Sequence, residues 1–452
     1  MRSFDVVVVG AGPAGEVAAG RLGEAGLSVA IVEDRLVGGE CSYWACMPSK
    51  ALLRPYEALE EARRVPGAAE AISGSLDVAA VLARRDEIIH DLDDSSQLPW
   101  LEDRGIELLR GFGVLTGERR VRVGDEEVEA TKAIFLATGS IPSMPPIEGL
   151  DAIDGAWTNR DATTAKAIPE RLVIVGGGVV GVEMAQAFQT LGSQVTLIEG
   201  ERRLLPREEE YACAQVTEAL ASYGVDIRTG QKATRVAERD GTVTVTTADG
   251  GTAEGDTLLV ALGRKPQTKG LGLEALGIDT DQPVPVDIRM RVDGHPWLYA
   301  IGDLNGKALF THMGKYQARI AADDVLGRAN AIAHGADGPL SPRVIFTEPQ
   351  VAAVGHTTDT AAEAGLEVEV MDTETSGNAG GSFYGRGAPG TARLLIDRRR
   401  GLVVGATITG AEVGDMLHAA TIAIAGEVPV DRLRHAVPCF PTRSEIWLSL
   451  LE

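Results

Sequence analysis

The sequence predicts an α/β protein with two Rossmann-like dinucleotide-binding domains followed by a C-terminal α+β module. Three observations predict it. A strand, Gly-rich turn, helix and strand occur in order twice, runs of short alternating strands accompany each copy, and the pattern changes beyond residue 340. The length of 452 residues suits three domains at the usual ~150 residues each.

The two copies align without a gap. Val6–Asp34 reads VVVVGAGPAGEVAAGRLGEAGLSVAIVED, and Leu172–Gly200 reads LVIVGGGVVGVEMAQAFQTLGSQVTLIEG. Each has a β-branched apolar strand, a Gly-x-Gly-x-x-Gly turn, a helix and a second strand ending near a Glu. The glycines are Gly10, Gly12 and Gly15, then Gly176, Gly178 and Gly181; the acids are Glu33 and Glu199. In this setting the first Gly permits a tight turn and the second lets a pyrophosphate approach the backbone. The third lets helix and strand pack closely, and the helix start offers partial positive charge. The acids would accept hydrogen bonds from ribose hydroxyls. Two such folds imply two dinucleotides.

The remainder divides accordingly. Residues 105–145 read as short strands ending in IFLATGS, which holds Thr138 and Gly139, and the Pro-rich Ile141–Pro146 reads as a linker. Residues 235–263 read as a second meander, with hairpin turns at Asp240-Gly241 and Asp249-Gly250, ending in VALGRKP with Gly263. LYAIGDLNG, Leu298–Gly306, is a strand running into a turn that exposes Asp303 after Gly302. Beyond 340 come strands such as VIFTEP and ARLLID and a helix near 411–425.

Composition narrows the function. Lys plus Arg number 43 against 65 Asp plus Glu, a net charge of −22, which phosphate backbones and anionic lipid would repel, so no nucleic-acid or membrane partner is expected. No apolar run reaches the ~18 residues of a membrane span. The first strand begins by Phe4, which leaves no room for a targeting segment, and a cytoplasmic location is expected. Four cysteines in a chain this long are no disulfide framework.

Two of them, Cys41 and Cys46, fall in GGECSYWACMPSK, Gly38–Lys50, directly after the first Glu-ending strand. Five residues of ideal helix advance about 7.5 Å, too far for a disulfide. Either the thiols never pair or the helix is distorted, and Pro48, with Gly38 and Gly39 at the entry, supplies a distortion. A helix start would give the thiols thiolate character, and Lys50 lies four residues after Cys46 on the same face. FAD is the expected first dinucleotide, because it can bridge a nicotinamide and a cysteine pair.

These residues resemble the class I flavoprotein disulfide reductases, the group of dihydrolipoyl dehydrogenase, glutathione reductase and mercuric reductase. The resemblance covers nearly the whole chain: the Cys box over Gly38–Lys50, the Ala137–Gly139 motif, and Gly302-Asp303. It implies FAD bound by residues 1–148 and 268–336, NAD(P)H bound by 149–267, and a dimerisation domain over 337–452, in a homodimer. Gly39, Lys50, Thr138, Gly139, Gly302, Asp303 and His312 would join the first Gly motif at FAD, His312 by starting a helix aimed at the flavin. Gly263 would lie with the nucleotide-binding residues. Electrons would pass from NAD(P)H through FAD to a Cys41–Cys46 disulfide and on to a small-molecule acceptor. Cys46 would be the flavin-proximal thiol, Cys41 the interchange thiol, and Lys50 and Glu183 an ion pair near the flavin.

The chain departs from that family at its end. Disulfide-reducing members close with His-Pro-Thr-x-Ser-Glu, whose His is the acid–base; here the run is Phe440-Pro441-Thr442-Arg443-Ser444-Glu445. Phe shuttles no proton, and losing a general acid–base costs ~10²–10⁴ in rate. The expected acceptor is therefore a quinone, a metal ion or an unusual disulfide. A disulfide reductase with a substitute proton donor, and a redox sensor that holds FAD and NAD with little turnover, are the alternatives. Mercuric reductases also lack the His, but their extra C-terminal cysteine pair is absent; only Cys439 stands there. Glu199 would repel a 2′-phosphate and favours NADH, while Arg202 and Arg203 leave NADPH open.

Overall fold

Four consecutive valines demand burial on both faces of a sheet, and that is where they sit. In the computed structural model, which describes residues 1–328, 338, 340–388 and 390–452, strand β1 (Arg2–Val9) has Val6, Val7 and Val8 fully buried. Helix α1 (Pro13–Glu24) follows with Gly12 as N-cap and Pro13 at its first position, where a missing N–H costs nothing. Strand β2 (Val29–Glu33) returns parallel to β1, Val6 facing Val29. The sheet runs Arg291–Val292, His295–Ala300, Glu126–Leu136, β1, β2, Ile106–Arg110. Val7, Val9, Ile134 and Leu136 fill the core on one face; Val6, Val8, Ala133 and Phe135 fill the other. A parallel sheet covered on both sides produces the unbroken apolar runs of the sequence.

After β2 come the short helix α2 (Gly39–Tyr43) and the long helix α3 (Cys46–Arg64). The second nucleotide fold repeats the first: strand β3 (Arg171–Val175), helix α4 (Val179–Thr190) and strand β4 (Gln194–Ile198). Its four-stranded sheet, Asp226–Arg228, β4, β3, Thr257–Val260, is parallel throughout. The meander Ala233–Arg239, Thr242–Thr247, Thr252–Gly255 is antiparallel. Its Asp240-Gly241 turn has φ of 51° and 75°, the left-handed pair that a two-residue hairpin needs. The tail holds a five-stranded antiparallel sheet, Arg343–Ile345, Gln350–Gly355, Leu402–Gly410, Thr391–Asp397, Val368–Glu374.

The chain forms two units. One comprises Met1–Pro48, Asp86–Ser143 and Arg264–Pro339; the other comprises Ser49–Arg85, Met144–Gly263 and Leu340–Glu452. The expected domain boundary between 336 and 337 lies outside the described residues. Among the described residues no helix is long and apolar enough to cross a membrane.

Three local expectations are corrected. The Pro-rich stretch after Ser140 is not a plain linker: Ser140–Pro142 pairs antiparallel with Arg264–Pro266. Ile106–Arg110 is no meander strand; it joins the main sheet parallel to β2, because its buried residues continue that sheet. The tail helix begins at Leu417, not 411; Gly410 and Glu412 both have positive φ, which an α-helix cannot accommodate.

One buried ion pair gives a stability prediction. Arg64 donates to Glu348 at 2.5 Å, with the Glu348 side chain 1% exposed. Burial pushes the Glu348 carboxyl upward, against the pull of Arg64. Arg64→Ala strands that carboxylate, and removing one partner of a buried pair costs about 3–5 kcal/mol. The urea midpoint should fall accordingly. Because Glu348 is then more easily protonated folded than unfolded, the deficit should shrink in mild acid and widen as pH rises.

Candidate active site

The two Gly motifs have the same geometry. Gly10 has φ +104°, and a methyl on it would collide with the Ala137 carbonyl. A methyl on Gly15 would overlap the Gly10 carbonyl, while Gly12 meets nothing nearer than Gly39 Cα at 4.0 Å. In the second copy Gly176 has φ +112° and closes on the Ala261 carbonyl. Gly181 closes on the Gly176 carbonyl, and Gly178 has nothing within 4 Å. First and third glycines are thus required by the fold, whereas the second leaves open space above a helix start. That is the cradle a dinucleotide pyrophosphate fits.

Each acid braces its own loop. Glu33 accepts from the Ala11 and Arg35 amides, both at 2.8 Å, and burial pushes its carboxyl up. Glu199 accepts from the amides of Gly177 and Glu201. Arg203 reaches the Pro206 and Glu208 carbonyls and Asp359.

The cysteine segment lies against the first cradle. Gly38 N donates to Ala11 O at 2.8 Å, and Gly39, with φ +62°, approaches Gly12 so closely that a methyl would clash. The break that brings the thiols together is at Trp44–Ala45, not at Pro48: α2 ends with Trp44 at φ −132°, and α3 restarts at Cys46. Pro48 sits in the first turn of α3, where its missing N–H leaves no helical bond unmade. Both cysteines are half-buried free thiols. Cys41 hydrogen-bonds Cys46, and that bond, with burial, pushes the Cys41 thiol far up rather than toward thiolate.

Helix α5 (Thr311–Val325) begins beside them. Thr311 Oγ1 lies 3.5 Å from Cys46 Sγ and also hydrogen-bonds Cys41, an interaction that favours thiolate there. His312 is exposed and stacks on Phe310 at 5.5 Å. Asp303 is half-buried rather than exposed at its turn as expected, burial pushes its carboxyl up, and it accepts from Ser140 Oγ at 2.6 Å. Arg264 donates to Ser140 at 2.8 Å and reaches Glu40 at 3.4 Å. Gly302 N donates to the buried Gln317 at 2.7 Å. Thr138 donates to the Gln267 carbonyl, and Gln267 N to that of Gly139. Gly263 has φ +94°.

In the second unit Lys50 donates to Glu183 at 2.8 Å and lies 4.7 Å over the Phe346 ring. Phe346 N donates to the other oxygen of Glu183, a side chain only 4% exposed. Cys213 is buried, donates to Leu205 O and is pushed up to about 11 by burial. Cys439 and Phe440 are exposed.

Sequence reasoning named the cysteines, glycines and acids but missed Thr311, Arg264, Ser140 and Phe346. No local motif marks them. Each meets its partner only through the fold.

A site of paired thiols beside a dinucleotide cradle, with a second cradle in the chain, defines a pyridine nucleotide-linked thiol reductase. The family pattern described as "Pyridine nucleotide-disulphide oxidoreductase" matches residues 4–323, and the pattern of its dimerisation domain matches 341–450. The chain belongs to this family. It is 34% identical to a dihydrolipoyl dehydrogenase of Thermus scotoductus, over 98% of this chain and 96% of the relative. It is 30% identical to a mercuric reductase of Lysinibacillus sphaericus, over 98% and 81%. Among solved structures, the Cu(II) complex of the HOCl-induced flavoprotein disulfide reductase RclA from Escherichia coli superposes with TM-score 0.87 at 26% identity, covering 100% of this chain and 99% of RclA. The chain is thus a flavoprotein disulfide reductase of the lipoamide dehydrogenase and RclA class, whose members use FAD and NAD(P)H.

Proposed function

We propose that this enzyme carries electrons from NADH, in preference to NADPH, through FAD to acceptors that need no imidazole ahead of lipoamide: to a quinone from the flavin itself, or by way of the Cys41–Cys46 pair to a metal ion. The observation that carries the reading is the mutually hydrogen-bonded thiol pair set against the first Gly cradle, in a chain with Phe440 where the acid–base would stand. The names of relatives, one a mercuric reductase and one a Cu(II) complex, support acceptors beyond disulfides.

The bound flavin supplies a two-electron carrier between nicotinamide and sulfur. Gly10, Gly12, Gly15 and Gly39 give its pyrophosphate backbone access, and Glu33 holds its ribose; Thr138, Gly139, Gly302 and Asp303 line its remaining length. Gly176, Gly178, Gly181, Glu199 and Gly263 do the same for NAD(P)H. The start of α5, at Thr311 and His312, offers helix-terminal amides to negative charge. Thr311 donates to sulfur and steadies thiolate. Cys46 is the flavin-proximal thiol and Cys41 meets the acceptor. Lys50, held by Glu183 and Phe346, is a fixed cation for the flavin edge.

We further propose a homodimer through the tail. Phe383, Ile422, Val437 and Phe440 are exposed there, and a second copy would cover them; Glu445 Oε2 is buried without a partner among the described residues.

The test is an anaerobic addition of one NADH per flavin followed by thiol counting. Two new alkylatable thiols per chain, assigned to Cys41 and Cys46, are expected; no gain would overturn the reading. A panel of quinones, metal ions and disulfides on the same reduced enzyme ranks the acceptors. A disulfide acceptor with a substitute proton donor is the second reading, favoured by the intact thiol pair. Phe440→His separates them. Restoring an imidazole should raise lipoamide turnover by about 10²-fold and leave quinone turnover unchanged.

A further inference from the structure

Two carboxylates flank the first cradle, and a guanidinium joins them. The start of α1 is approached from two sides by a glycine. Gly39 comes so close that a methyl on it would clash with Gly12 Cα, and a methyl on Gly302 would rest 3.4 Å from Ala14 Cβ. An acid follows each of these glycines, Glu40 after Gly39 and Asp303 after Gly302. Both are partly withdrawn from water: the Glu40 side chain is 22% exposed, and Asp303 is half-buried.

Arg264 ends between the two acids. Its Nη2 lies 3.4 Å from Glu40 Oε1 and donates to the Ser140 carbonyl at 2.7 Å. Its Nε donates to Ser140 Oγ at 2.8 Å, and that hydroxyl donates to Asp303 Oδ2 at 2.6 Å. The backbone fixes the base of this side chain, because Arg264–Pro266 pairs antiparallel with Ser140–Pro142 and sets Arg264 opposite Pro142. Gln267 extends the contact, accepting from Thr138 and donating to Gly139. The charge of Arg264 also reaches Asp303, drawing its carboxyl down against burial. Only a planar fork serves Ser140 and Glu40 at once; an ammonium on a flexible stem has no such fixed geometry.

A pyrophosphate in the cradle adds two negative charges to a place already held by two carboxylates. Like charges brought together in a partly dry site repel strongly, and a helix start offers only a partial positive charge in return. We propose that Arg264 is a positioning residue for the flavin: it holds Glu40 directly and Asp303 through Ser140, and by cancelling the charge of Glu40 it lets an acid stand beside the seat of an anionic pyrophosphate. This deepens the function proposed above and rests on its reading of the first cradle as the FAD site. Because Glu40 precedes Cys41, the same contact ties the thiol-bearing α2 to the loop of Asp303.

The test follows flavin release from the oxidised holoenzyme, with neither nicotinamide nor acceptor present. Dilution frees FAD, its fluorescence reports the release, and the bound fraction over a dilution series gives the dissociation constant. Arg264→Gln should weaken FAD about tenfold to hundredfold. Glu40→Gln should hold FAD at least as tightly as the wild type, and placed on Arg264→Gln it should recover most of the loss. Arg264→Lys, which keeps the charge without the fork, should fall between. An ion pair that merely tacks α2 in place gives the reverse pattern: Glu40→Gln weakens FAD, and the double variant is no better than Arg264→Gln. That pattern, or an Arg264→Gln protein that releases FAD at the wild-type rate, overturns the proposal. Should Arg264→Gln fail to fold, Arg264→Lys carries the same comparison: Glu40→Gln should tighten FAD in that background, and no change there overturns the proposal as well. Failure of the first-cradle reading is told apart by Gly12→Val, which would then retain its flavin.

Discussion

Cys41→Ser is expected to abolish turnover of any acceptor that reacts at sulfur, by about 10³-fold or more, as loss of a nucleophile does. The serine hydroxyl is close in size, so Thr311 and Cys46 keep their surroundings and flavin content should match the wild type. Quinone reduction at the flavin should survive in this variant. Parallel assays with a metal ion, a disulfide and a quinone on one preparation therefore sort the acceptors by site. Cys46→Ser should behave differently: it removes the thiol at the first residue of α3, and both routes through sulfur stop while Cys41 remains alkylatable. Equal loss of quinone and disulfide activity in Cys41→Ser would contradict the division of labour between the two sulfurs.

The second large effect concerns the open glycines. A Cβ on Gly12 meets nothing nearer than Gly39 Cα at 4.0 Å and one on Gly178 nothing within 4 Å, so both valine variants should fold, Gly178→Val melting near the wild type and Gly12→Val near the flavin-free wild type. Each fills the space proposed for a pyrophosphate. Gly12→Val should be purified without yellow colour, losing about 10²-fold or more in flavin affinity, the effect of some 3 kcal/mol of overpacking. Gly178→Val should stay yellow but show a comparably raised KM for NADH with its flavin spectrum intact. Gly15→Val is the control. There the new side chain overlaps the Gly10 carbonyl, and the protein itself should be destabilised. A colourless Gly178→Val, or a fully flavinylated Gly12→Val, would reverse the assignment of the two cradles.

The features legible in the sequence were those in which chemistry and chain neighbourhood coincide. Gly-x-Gly-x-x-Gly declares itself because strand, turn and helix are contiguous, and Glu33 and Glu199 follow at fixed distance. Hairpins at Asp240-Gly241 and Asp249-Gly250 declare themselves by turn chemistry. What stayed hidden depends on long-range pairing. Ser140–Pro142 is too short and Pro-rich to look like a strand until Arg264–Pro266 lies beside it. Thr311 reaches Cys46 across 265 positions. The helix break between the thiols was anticipated, but Pro48 drew attention away from Trp44, whose backbone turns without any residue that advertises a turn.

Glu199 illustrates how a single carboxylate can resist redesign. Retailoring such an enzyme toward the phosphorylated coenzyme ordinarily begins by deleting this negative charge. Here both of its oxygens are already hydrogen-bonded, one to the amide of Gly177 and the other to that of Glu201. Alanine at 199 would leave two amides seeking water at the rim of the loop, so the swap would slacken the turn as it removed the repulsion. A glutamine, which keeps an oxygen for one amide, is the gentler starting point for an engineer.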